Sequence, residues 1–182
     1  MSLRRSISGI AAAVLLSAAG AAPANAQQAA PEPEIQNYGT WSTRCDTAEG
    51  GPKRCHAFVN VAVGEEKQRL LYLGVTYGPQ DSDGDGDNEL YLFAITPLGT
   101  FLPTGIGWSI DDKEKFTQQY MFCTPAGCQT EILLTDERLK AMKAGKQMDV
   151  VFRIVGKGDA KIPVKLDGIT KAISAIPVPK KS

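Results

Sequence analysis

The sequence predicts an all-β fold: an antiparallel β-sandwich or partly closed barrel of about nine strands with two short helices, stapled by disulfides. Three observations carry this. Short runs rich in Val, Ile, Leu, Tyr and Phe recur about every ten residues, separated by turn residues. Only two segments show a helical period. Four cysteines, an even number, stand in a chain that opens with an export signal.

That signal occupies residues 1–26. Arg4 and Arg5 form a positive start, Ile10 to Ala22 is apolar and small, and Ala24-Asn25-Ala26 fits the small-x-small cleavage rule. The apolar run falls short of the roughly 20 residues of a membrane span. No later stretch is long and apolar enough to span one, so the chain is expected in the periplasm, associated with the outer membrane, or released. The segment "QQAAPEPEIQ", 27–36, reads as a flexible leader. A domain follows over 37–176, and "PVPKKS", 177–182, is a basic tail.

After cleavage 156 residues remain, enough for one domain with its own core. The full chain has 20 basic and 20 acidic residues; without Arg4 and Arg5 the net charge is −2. This balance excludes a general electrostatic pull toward nucleic acid or anionic membranes.

The strands follow in order. "YGTWSTRC" is short and aromatic, and "CHAFVNVAV" alternates, with Val59, Val61 and Val63 on one face. "QRLLYLGVTYG" and "ELYLFAITPLG" are nearly continuously apolar, which predicts central strands buried on two faces. "GIGWSID", "FTQQYMFCT", "GCQTEILLT", "MDVVFRIVG" and "KIPVKL" complete the nine. The first helix is "TDERLKAMKAG". Thr135 is a good N-cap, Asp136 and Glu137 suit a helix N-terminus, Leu139 and Met142 share a stripe, and Gly145 stops it. In "DGITKAISAI", Ile169, Ala172, Ile173 and Ile176 follow helical spacing until Pro177.

Four cysteines allow three pairings. Cys45–Cys55 and Cys123–Cys128 are favoured, because each pair brackets a short turn-rich segment that can join adjacent strands. The spacings do not resemble a zinc site.

"DSDGDGDNE", 81–89, is the densest chemical feature. Asp81, Asp83, Asp85 and Gly86 match the first half of a calcium loop of the EF-hand type. The closing Glu is missing, since position 12 is Leu92, and the flanks read as strands. A strand-flanked loop can still hold Ca²⁺, with Asp87 or Glu89 closing the shell. The competing reading is a solvated hairpin loop of ordinary turn residues.

Catalytic signals are sparse. His56 is the single histidine and adjoins Cys55; no G-x-S-x-G is present. Asp111–Asp112 and Asp136–Glu137 read as turn and cap residues. "PTGIGWS" precedes a strand and so lacks the helix N-terminus that binds phosphate. Trp41, Trp108, Tyr38, Tyr72, Tyr77 and Tyr91 can line a ligand or partner surface, although aromatics at strand spacing more often fill a core.

Four stretches occur in a familiar order: "YGTWSTRC", "TPLGTFLPTGIGWSID", "YMFCTPAGCQTEILLTDERLKAMKAGKQMDVVF" and "IPVKLDGITKAISAI". From Tyr38 to Ile176 the chain resembles the invasion-associated locus B family of exported bacterial proteins. The markers are Gly39 and Trp41; Pro97, Leu98 and Gly99; Cys123, Gly127 and Cys128; and Pro163, Leu166, Gly168 and Ala172. The resemblance implies a small β-sandwich of the Gram-negative periplasm or outer-membrane region. The family is named for a role of some members in host-cell invasion, and it brings no catalytic residues to carry over. The 81–89 insert departs from its pattern. Three functions are therefore expected in order: a non-enzymatic envelope protein that binds another envelope protein or ligand, a calcium-dependent envelope module, and an enzyme acting on an envelope polymer.

Overall fold

The computed structural model describes residues 32–47, 51, 53–78 and 88–179. Two antiparallel sheets face each other. The larger has seven strands in the order β1 (Glu34–Tyr38), β2 (Trp41–Thr47), β3 (Lys53–Val63), β4 (Gln68–Tyr77), β5 (Leu90–Thr96), β9 (Gly127–Leu133), β8 (Phe122–Thr124). The smaller has four: β11 (Gly158–Lys165), β10 (Gln147–Ile154), β6 (Ile106–Ile110), β7 (Glu114–Gln118). The fold is a sandwich, as the sequence predicts.

Eleven strands are present among the described residues where nine were expected, because one strand forms ahead of the first run and one later run divides. "YGTWSTRC" turns back on itself at Gly39–Thr40, and β1 pairs with β2 from Glu34↔Cys45 to Tyr38↔Trp41. Strand β1 thus begins inside the 27–36 segment read as leader. "FTQQYMFCT" breaks at Gln119–Met121 and contributes β7 to one sheet and β8 to the other. Its apolar pattern alone does not show that change of sheet.

Alternation builds the core. Leu71, Leu73 and Val75 of β4 and Leu92 and Ala94 of β5 point inward, against Ile106 and Trp108 of β6 and Met148, Val150 and Phe152 of β10. Four strands cannot cover seven, and helix α2 (Ile169–Ser174) fills the gap on the inner side of β1–β3. Its Ile169, Ala172 and Ile173 are buried together with Trp41. Helix α1 (Asp136–Ala144) starts where predicted: the Thr135 hydroxyl accepts from the Arg138 N–H, and Met142 enters the core.

The two ends of the domain are tied together. The turn between β1 and β2 lies against the turn between β11 and α2. The Thr40 N–H and hydroxyl donate to Asp167 at 3.0 and 2.6 Å, and Trp41 Nε1 donates to Lys165 O at 2.9 Å. Gly168 has φ +86°, and a Cβ there would stand 1.3 Å from Tyr38 O, so no side chain fits. Gly39, Trp41, Leu166, Gly168 and Ala172, which carry the family resemblance at both ends of the chain, thus belong to one packed junction.

Both favoured disulfides form, Cys45–Cys55 and Cys123–Cys128. Each joins directly opposed residues of adjacent strands, β2–β3 and β8–β9. Among the described residues no helix is long and apolar enough to cross a membrane.

Candidate functional site on the outer sheet face

The strands β4 and β5 are not buried on both faces. Their second apolar set points outward and remains half-buried on an open sheet face. Among the described residues no layer covers this face, and the near-continuous apolar pattern comes from its aromatic side chains. The register places Arg44 opposite His56, Phe58 opposite Gly74, and Gly74 opposite Phe93. Tyr72 and Ile95 form the next row.

These side chains make one connected patch. The Phe58 and Tyr72 rings stack at 5.3 Å between centroids, and Phe93 lies 6.1 Å from Tyr72. His56 is packed by Phe58, Tyr72 and Phe93 at 5.7–6.0 Å, within the range of favourable ring contacts. The Phe93 ring passes over Gly74, where a Cβ would meet its Cζ at 2.3 Å. The missing side chain lets the ring lie down on the sheet.

Polar groups rim the patch. His56 Nε2 and Tyr72 Oη are hydrogen-bonded at 2.6 Å. Arg44 grips Asp46 through Nε and Nη2 at 2.8–3.0 Å. Arg69 lies over the Tyr72 ring at 5.9 Å. Burial pushes the Tyr72 phenol up to about 12 and holds the His56 imidazole below its ordinary value; the Asp46 charge opposes the second effect and Arg44 adds to it. The Arg44 hydrogen bonds hold the Asp46 carboxyl down. The patch therefore presents a neutral imidazole and a neutral phenol beside a closed ion pair at neutral pH. Such an exposed pair is worth about 1 kcal/mol or less. Its planar fork orients recognition more than it adds stability.

Covalent chemistry has little to work with here. Cys55, next to His56, is oxidised and faces the core. Among the described residues, every carboxylate with a resolved shift is held low by hydrogen bonds: Asp46, Asp111, Glu137, Asp159 and Asp167. None is pushed up toward the range of a general acid. A shallow hollow beside Asn37, Tyr38, Thr170 and Lys171 contains Asp167, but that carboxylate is committed to Thr40. Asp111 accepts from the Lys146 and Gln147 N–H groups, and Asp136–Glu137 open α1, so these acids are the turn and cap residues expected.

Of the candidate calcium ligands, Asp81, Asp83, Asp85 and Asp87 lie outside the described residues. Glu89 is described: its Oε2 accepts from Tyr91 Oη at 2.6 Å, and its carbonyl accepts from the Gly78 N–H at 2.8 Å. Among the described residues no three of His, Cys, Asp and Glu come together as a metal cluster. Of the six aromatics considered, Trp41 and Trp108 are core, while Tyr38 and Tyr77 pack against it. Tyr72 and Tyr91 are on the outer face. Phe58 and Phe93 were missed in the sequence, although their alternation with buried Val59, Leu92 and Ala94 was a usable signal.

Comparison with known proteins agrees with this architecture. The family model "Invasion associated locus B (IalB) protein" matches residues 41–177. "Invasion protein B" of Bartonella bacilliformis is 26% identical over 145 residues, covering 78% of this chain and 73% of that one. The crystal structure of invasion associated protein b from Bartonella henselae shares the fold. Its TM-score is 0.63 at 21% identity, with 78% of this chain and 92% of that chain covered. The matched span contains every described strand but β1, both helices and the aromatic patch, and this protein belongs to the invasion-associated locus B family.

Proposed function

We propose that this protein is an exported, non-enzymatic component of the cell envelope that binds a partner through the outer face of its seven-stranded sheet. The observation that carries this reading is the patch of Phe58, Tyr72, Phe93 and His56, rimmed by Arg44–Asp46 and left open by both helices. A half-buried aromatic cluster with a polar rim has the composition of an interaction surface. The names of the Bartonella relatives associate those proteins with invasion, and a contact with a host surface is one use of such a face. Export rests on the 1–26 signal, and the periplasm or outer-membrane region is the compartment we infer.

The test compares retention on immobilised envelope extract for the wild type and a Tyr72→Ala/Phe93→Ala double variant of matched thermal midpoint. The reading predicts retention that the double variant loses. Equal retention of the two would exclude this face. Turnover of an envelope polymer by the wild type, lost on His56→Gln, would instead favour an enzyme.

A further inference from the structure

We propose that one end of the sandwich, carrying Leu98, Phe101, Leu102 and Val155, seats on a lipid surface. These side chains are 60, 41, 38 and 64% exposed. They sit on two loops that act as one body. The Phe101 N–H donates to Arg153 O at 2.7 Å, the Val155 N–H donates to Gly99 O at 2.9 Å, and Thr100 bridges to Ile154. Thr100 Oγ1 also donates to Pro97 O at 2.8 Å and lies 3.1 Å from Thr96 Oγ1, and a 3₁₀ turn at Leu102–Thr104 fixes the rest. The apolar groups are thus held out in water by a preordered backbone, and docking has little conformational freedom left to remove.

Charge identifies the occupant. Residues 97–105 contain no charged side chain, and neither do residues 121–128, the hairpin that joins this end through Thr96↔Cys128. Residues 154–158 contain Lys157 alone. At the hairpin turn Arg69 donates to Ala126 O at 2.6 Å and brings a second cation to the rim. Arg153 is closed on Asp159. An apolar tip with a cationic border matches a layer of acyl chains under anionic headgroups. Side chains that protrude from loops do not enclose a small ligand, which needs a concave site. The near-zero net charge of the chain means that attraction is local to this end. The loops carrying Leu98, Phe101, Leu102 and Val155 lie apart from the rings of the aromatic sheet face, although Arg69 borders both, and the proposal rests on the loop residues.

The test is co-sedimentation of the purified protein with mixed phosphatidylethanolamine–phosphatidylglycerol vesicles and with phosphatidylcholine vesicles. Wild type is expected to pellet with both, more strongly with the anionic mixture. Leu98→Ser/Phe101→Ser should lower the partition coefficient at least about tenfold, with an unchanged thermal midpoint. Val178→Ser, at an exposed apolar position elsewhere, should leave it unaltered. Lys157→Glu should weaken binding to the anionic vesicles only. In Phe101→Trp the new indole should shift its emission to the blue on vesicle addition. A wild type that stays in the supernatant with both vesicles overturns the proposal. So does unchanged pelleting of the double serine variant. A lipid-free dimer in sedimentation velocity that the same variant dissolves also overturns it, because the end then belongs to a second copy of the chain.

Discussion

The Phe93 ring lies across Gly74, on the strand beside its own, and occupies the space where a side chain would stand. This one relationship makes the outer face of the large sheet flat and aromatic. It also makes the face easy to perturb. Gly74→Ala would drive a Cβ to 2.3 Å from Phe93 Cζ and 3.1 Å from Ala57 O. We expect a loss of about 1–3 kcal/mol by overpacking. Much of it should be recovered in Gly74→Ala/Phe93→Leu, and urea unfolding of the double-mutant cycle measures the coupling.

The His56–Tyr72 pair predicts a pH dependence. His56 is held below its ordinary value in the folded state, chiefly by burial. Through the window between that lowered value and the unfolded value near 6.5, the unfolded chain binds more protons. Stability therefore rises with pH across this window and falls as pH drops through it. Thermal midpoints from pH 7 to pH 5 should show the fall, and His56→Gln should flatten it. The carboxylates held low act at lower pH and remain as a separate acid limb.

The junction between the two ends of the domain is a second weak point. Gly168→Ala places a Cβ against the Tyr38 carbonyl in a left-handed backbone. We expect about 2–4 kcal/mol of destabilisation from strain and clash together. Substitution at Gly64, which also has positive φ but open space around it, should cost only the conformational part. Chemical denaturation of both variants checks the difference.

Each disulfide closes a short loop, with sequence separations of 10 and 5. Chain entropy gives roughly 2–3 kcal/mol per bridge. Removal of Cys45–Cys55 as the double alanine variant should lower the midpoint and also loosen the Arg44–His56 row beside it. Loss of Cys123–Cys128, which closes the edge hairpin, should leave the His56 resonances unmoved. Proton–nitrogen spectra of the two variants distinguish these outcomes.

The Asp-rich loop is tested by metal. With Asp81, Asp83, Asp85, Asp87 and Glu89 around Ca²⁺ at a Kd of about 10⁻⁴ M, about 2 mM calcium should stabilise by roughly 1.8 kcal/mol. Asp83→Ala should abolish the gain, and Mg²⁺ should not reproduce it. An unchanged midpoint identifies a solvated turn.

The sequence made much of this legible. Alternation, turn residues and the Thr135 cap located the sheets and α1, because those signals are local. The cysteine pairing was legible because each pair brackets a turn. Less visible was anything set by how distant segments meet. The 119–121 break sends adjacent strands to different sheets, and no local period records that. Tyr72 and Phe93 read as buried on both sides because aromatic side chains look alike in a core and on an open face. Only the mismatch of seven strands against four, with α2 on the inner side, shows which face is left uncovered.

Site-specific photo-crosslinking in intact envelopes tests whether the aromatic face of the large sheet is the contact surface. One probe replaces Asn60, exposed on the outer face of the large sheet, and the other replaces Lys161 on the small sheet. Binding through this face should give a discrete adduct from position 60 that disappears in Tyr72→Ala/Phe93→Ala, and none from position 161. An adduct from position 161 alone, or one from position 60 that survives the double substitution, would contradict it.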